Sequence, residues 1–414
     1  GHLSPWVTWA TVHRGITDEI HKITDINQDI SIIDKKYPTI MSSLADKGFK
    51  VGVFGSMHSA SVNRDEFKKY TFYVPEAFAT NSDCKPKTIN NLQRLNLKMS
   101  KASARVVESS MPGLKLATLG AISYLKHSFR LNGARAALFQ LIKEIFEPWK
   151  KIRRRTLQSE ILFDVYMDLL LKYKPDFSTF FTNHVASNMH RFWEARFPNH
   201  YPSKISTSDW KKRYQNEIDI AMKTTSYFIN CLTNFVDNNK EYQLWIVSSM
   251  GQAAVEDYKP GESFWKIENM KDFLSSICGE ELEISELTQM IPCYSAEANE
   301  NTIKLIHKKL INIESNANLK CRSITKTTIA FSLEAYDIEE IWFKYKTNKK
   351  IIKIKGLKKI NIDEKSGSSA YHIPEGILYR YGSNLKSIEK EFLDKEGHLL
   401  THNIKKLIEN SISR

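Results

Sequence analysis

Apolar and polar positions change period several times along this chain, and each change marks an element. A helical spacing over Tyr37 to Lys47 passes through Gly48 into Lys50-Val51-Gly52-Val53-Phe54-Gly55, which predicts a short buried strand closed by glycine. Phe72-Tyr73-Val74-Pro75-Glu76-Ala77-Phe78 then breaks the regular alternation. From Leu92 to Lys174 the spacing is almost wholly helical, with Gly113, Gly120 and Pro148 as interruptions. A strand is predicted at Asp176 to Thr182, a long helix at Ser208 to Asp237 and a second buried strand at Tyr242 to Ser248. The chain returns at Tyr371 to Leu378 and ends in a Lys/Glu-rich helix.

Strand-like runs alternating with helices predict an α/β fold with a largely parallel central sheet flanked by helices. The length of 414 residues fits one large domain, 1–414, carrying insertions. Residues 75–175 read as a helical insertion or cap. Residues 280–365, with a helix at Ala296 to Ile313 and short strands after it, read as a small α+β insertion.

Five cysteines, Cys84, Cys231, Cys278, Cys293 and Cys321, are odd in number and widely scattered, which points away from disulfides and zinc ribbons. No apolar run approaches the roughly 18 residues of a membrane span, and no signal peptide opens the chain. The expected location is therefore the cytoplasm. A net charge of +13 suits an anionic partner. The runs Lys150 to Arg155 and Lys344 to Lys359 lack the interleaved aromatics of a base-stacking surface, which favours a small anionic ligand over nucleic acid.

In open α/β sheets, ligands bind beyond the carboxyl ends of strands, so polar clusters that follow strands are the places to search. Four occur: Thr8, Asn183 to His190, Ser249 to Gln252 and His372 to Glu375. The first lies in Ser4-Pro5-Trp6-Val7-Thr8-Trp9, followed by Gly15 and His21, and the last in His372-Ile373-Pro374-Glu375-Gly376. In residues and order these segments resemble the alkaline phosphatase superfamily, in its phosphodiesterase and nucleotide pyrophosphatase branch.

The resemblance implies a phosphohydrolase or phosphodiesterase with Thr8 as nucleophile and His190 and His372 as further catalytic residues. It implies a phosphate ester or diester substrate, such as a nucleotide sugar or phosphorylated glycan, with Asn183, Ser249, Gln252 and Glu375 binding it. Departures from the family pattern fall at Ala10, Arg14 and Lys22, where proline, threonine and glycine are usual, and on the metal ligands. Ala186 stands where an Asp is expected four residues before His190, and Ser249-Met250-Gly251 replaces an Asp-His-Gly turn. What remains is His184, His190 and His372, which either hold one divalent ion, zinc or alternatively manganese, or act without metal as acid and base. A superfamily member that binds such a ligand without hydrolysing it, and a transferase using the same pocket, are the alternative readings. His21 reads as a structural fastener of the Thr8 helix; Glu76, in aromatic surroundings, is expected to have a raised pKa if buried.

Overall fold

In the computed structural model of the chain, Ser4 stands in extended conformation ahead of α1 (Pro5–Arg14), and Pro5 supplies the fixed φ favoured in a first helical turn. The structure describes residues 3–26, 28–59, 66–101, 113–128, 130–202, 205–259, 261–287, 289, 291–362, 364–383 and 385–412. Gly15 closes α1 at a φ of 69°, its N–H donating to the Thr11 carbonyl. Three short helices follow, α2 (Asp18–His21), α3 (Ser31–Lys36) and α4 (Ile40–Asp46). The chain then enters β1 (Val51–Phe54), buried at every position. β2 (Phe72–Val74) and β3 (Phe177–Phe180) pair with β1 on either side, both in parallel. Gly52 permits this packing, since a Cβ there would lie 2.1 Å from Cζ of Phe72.

Between β2 and β3 run α5 (Asn90–Lys101), α6 (Leu114–His127), α7 (Asn132–Phe146) and α8 (Arg154–Tyr173). Phe163, Tyr166 and Leu170 of α8 join Phe54 and Phe72 in one core. After β3 come α9 (His184–Arg196), α10 (Ser208–Tyr214) and α11 (Glu217–Asn238), the last contributing Phe228 and Phe235 to that core.

The chain next runs outward through β4 (Gln243–Val247), β5 (Gly251–Ala254) and β6 (Ser263–Ile267). It then builds α12 (Met270–Cys278), β7 (Ser285–Leu287), β8 (Cys293–Glu297), α13 (Glu300–Ile311), β9 (Ile313–Ser315), β10 (Asn318–Ile324), β11 (Thr328–Glu334) and β12 (Phe343–Tyr345). This lobe has its own core, which includes Phe273, Ile303, Phe331 and Phe343. The return leg is β13 (Leu357–Asn361), β14 (Ala370–Ile373) and β15 (Leu378–Gly382). It pairs antiparallel with the outward leg in three steps, β13 with β6, β14 with β5 and β15 with β4. A final helix, α14 (Ile404–Ser411), lies against α1 and α4.

The expected largely parallel central sheet is not formed. Parallel pairing is confined to three strands in the order β2-β1-β3, and the other described sheets have two to four strands, paired antiparallel. The reason lies in β4: its apolar run reads like a buried parallel strand, yet its hydrogen bonds are taken by the returning β15. An apolar run of that length fixes extended backbone but not its partner. Among the described residues, no helix is long and apolar enough to cross a membrane.

Candidate functional site

Thr8 occupies the first turn of α1, where its Oγ1 donates to the Ser4 carbonyl at 3.1 Å and lies 2.9 Å from Ser249 Oγ. Ser249 is buried in the turn between β4 and β5. Two glycines bring that turn onto the segment after β14. A Cβ on Gly376 would sit 2.1 Å from the Ser248 carbonyl oxygen, and one on Gly251 would sit 2.3 Å from the Glu375 carbonyl oxygen. With both side chains missing, Ser248 N–H donates to the Ile377 carbonyl at 2.8 Å.

His372 reaches the same place from β14. Its register partner on β5 is Gln252, so the two side chains share a face of the ladder. His372 Nδ1 lies 3.2 Å from the Leu3 carbonyl, just ahead of α1. His190 comes from α9, its ring centroid 5.0 Å from that of His372 in an edge-to-face arrangement. Its Nδ1 lies 2.7 Å from the Ala370 carbonyl.

A kink holds His190 in position. At Phe192 the backbone leaves helical geometry, with φ −121° and ψ 15°. Ser369 inserts there: its N–H donates to the His190 carbonyl at 2.7 Å, and its hydroxyl accepts from Trp193 N–H at 3.1 Å. Such an insertion into the helical ladder is a recognised cause of kinks. Sequence reasoning missed Ser369, which sits in an unremarkable Ser-Gly-Ser-Ser run; only its contacts across 179 residues reveal the role.

The tautomers follow from these partners. A carbonyl only accepts, so both histidines carry their proton on Nδ1 and keep the lone pair on Nε2. Gln252 Nε2 donates to His190 Nε2 at 3.2 Å and to the Ala186 carbonyl at 3.3 Å. Its Oε1 is buried and has no hydrogen-bond partner among the described residues. Burial, opposed by the Leu3 carbonyl, holds the His372 pKa below its ordinary 6.5, so its ring is neutral at pH 7.

Three expected residues stand apart. His184 is buried against α11, with Nδ1 2.7 Å from Thr182 Oγ1 and Nε2 3.1 Å from the Ala221 carbonyl. Desolvation lowers its pKa to about 4. Its lone pair and proton are used by these neighbours, which corrects the expectation of a three-histidine metal site. Asn183 is the exposed N-cap residue of α9, and its side chain makes no capping bond. The Glu375 side chain is exposed, and only its carbonyl approaches the site.

A catalytic zinc takes three protein ligands and an open position. Among the described residues this pocket offers two imidazoles without a carboxylate, so the donor set does not fit the ion. The one group of three potential ligands within mutual reach among those residues is Asp394, Glu396 and His398. It forms a tight turn in which Asp394 Oδ1 accepts from the N–H groups of Glu396 and His398.

A second buried polar group lies deeper on α1. His21 Nδ1 accepts from Ile23 N–H at 2.9 Å and its Nε2 donates to Thr11 Oγ1 at 2.9 Å, fastening α2 to α1. Burial lowers the pKa of His21 to about 4 and those of His13 and His58 to about 3, with the Arg14 charge contributing in each case. Glu76 follows β2, accepts from His58 N–H, and is pushed up to about 8 by burial.

No family model, curated protein or solved structure matches this chain.

Proposed function

We propose that this chain is a phosphohydrolase or phosphodiesterase whose site segments resemble those of the alkaline phosphatase superfamily, acting on a phosphate ester or diester at the pocket of Thr8, Ser249, His190, His372 and Gln252. The observation that carries the reading is the convergence of four segments, distant in sequence, on Thr8: its hydroxyl lies 2.9 Å from Ser249, and the Leu3 carbonyl ahead of its helix meets His372. The dipole of α1 also favours an anion near its N-terminal turn, where Thr8 lies.

In this reading Thr8 Oγ attacks phosphorus in line with the leaving oxygen. The O–P bond to Thr8 forms as the ester O–P bond breaks, and the Thr8 proton passes to the Nε2 lone pair of an imidazole. The resulting imidazolium returns that proton to the leaving oxygen. Water then releases phosphate by the reverse exchange; an acceptor hydroxyl in place of water would make the enzyme a transferase. Gln252 orients His190, and Ser249 aligns the Thr8 hydroxyl. No step uses a metal, because the described donors do not suit one.

The second reading is a protein that binds a phosphorylated or glycan ligand without hydrolysing it. The lack of a carboxylate in the pocket favours it, as does the Thr8 hydroxyl's bond to its own helix. Turnover of nitrophenyl phosphate mono- and diesters separates the two. Hydrolysis that disappears in Thr8→Ala supports the enzyme; phosphate binding without turnover in the wild type supports the ligand-binding protein.

A further inference from the structure

Helix α7 is built inside out. The residues facing α8 and the core are small or polar. At Gly133 an added Cβ would lie 2.9 Å from Ile161 Cα. Gln140 is buried, its amide donating to Glu144 at 2.9 Å and to the Lys150 carbonyl at 2.7 Å. Glu144 is held in turn by Arg154.

The opposite face carries Leu138, Phe139, Leu141, Ile142, Ile145 and Phe146, all exposed, the last two to 76% and 80%. Their spacing is that of a continuous helical stripe, normally turned inward. Leu114, Ile122 and Leu125 of the preceding α6 are exposed as well. A protein surface rarely leaves so many large apolar groups together without a partner.

Charge selects the partner. Residues 113–146 contain five lysines and arginines and a single acid, Glu144, which is engaged by Arg154. Lys115, Lys126, Arg135 and Lys143 are exposed on the same two helices. A second copy of the chain would bring two cationic faces together, within a molecule already at +13. An anionic lipid surface complements both the apolar stripe and its cations.

We propose that α7, with the exposed side of α6, docks peripherally on anionic lipid bilayers, its apolar stripe entering the boundary between headgroups and acyl chains. The inference is independent of the phosphoester reading.

Sedimentation of the full chain with phosphatidylcholine vesicles, with and without phosphatidylserine, tests it. The chain is expected to bind the vesicles containing phosphatidylserine, more weakly as salt rises. Ile145→Glu/Phe146→Glu alters only exposed side chains and should weaken binding about ten-fold or more with an unchanged circular dichroism spectrum. Arg135→Glu/Lys143→Glu should weaken it selectively on anionic vesicles. Absence of wild-type binding, or binding indifferent to both variants, overturns the proposal. So does a light-scattering mass of two chains that Ile145→Glu/Phe146→Glu reduces to one, which would assign the face to a second copy.

Discussion

Thr8 and Ser249 share a hydrogen bond across 241 residues of chain, and that pair gives the pocket its reacting hydroxyl. Thr8→Ala should lower phosphoester turnover by about 10³ or more, whereas Thr8→Ser, which keeps the hydroxyl, should retain a measurable fraction. Equal losses in the two variants would mean that Thr8 serves packing alone. The buried histidines make a separate prediction, read in thermal stability. His13 and His58 stay neutral in the fold down to about 3, and His21 and His184 down to about 4. In the unfolded chain each takes up a proton near 6.5, so the unfolded state gains protons as pH falls below that value. Stability is therefore lost on acidification, by about 2 kcal/mol per histidine at about pH 5. Glu76 has the opposite sign: its folded pKa is raised from 4.5 to about 8, so its contribution, complete below 4.5, is lost as pH rises towards 8. The melting temperature should peak at about pH 7, where the two opposing effects balance, and Glu76→Gln should flatten the decline above the peak. An alkaline limb unchanged in that variant would show that Glu76 is ionised in the folded protein.

At the scale of elements, the pocket depends on one turn lying on another without side chains between them. Gly376→Ala drives a Cβ towards the Ser248 carbonyl, 2.1 Å away, and should cost about 2 kcal/mol while displacing Ser249 and His372. Gly113→Ala, with nothing within 4 Å, is the control and should stay within about 0.5 kcal/mol of the wild type in chemical denaturation. Similar costs at the two positions would contradict the close approach. Much of this region is legible in the sequence because its signals are local: the Ser4-Pro5 start of α1, the apolar run of β1, and the His372-x-Pro374-x-Gly376 segment. The kink at Phe192 and the clamp by Ser369 are not legible, since they depend on a residue 176 positions away, just ahead of β14. His184 misled for a related reason. Its position after a strand suggests a ligand, but only the packing of α11 reveals that Ala221 meets its ring. The pairing of β4 was hidden in the same way, because an apolar run carries no record of strand direction.

In the whole molecule, two apolar cores are linked by the stepped β4–β15, β5–β14 and β6–β13 ladder. One lies under the β2-β1-β3 sheet and the other within the lobe from β6 to β13. Phe273→Ala empties a fully buried site that packs on Phe331 and Phe343, at a cost of about 3–5 kcal/mol. Native-state hydrogen exchange should accelerate in β8, β10 and β11 while β1 and β3 keep their protection. Uniform acceleration would mean that the two cores unfold as a single unit. The ladder matters to function because its middle step carries Gln252 and His372, and the turn from β4 into that step delivers Ser249 to Thr8. The most direct test of the phosphoester pocket is calorimetric binding of orthovanadate, which adopts the five-coordinate geometry of phosphoryl transfer to a hydroxyl. Saturable binding to the wild type, displaced by inorganic phosphate and lost in both Thr8→Ala and His372→Ala, is the predicted result; no binding, or binding unchanged in these variants, would contradict the account.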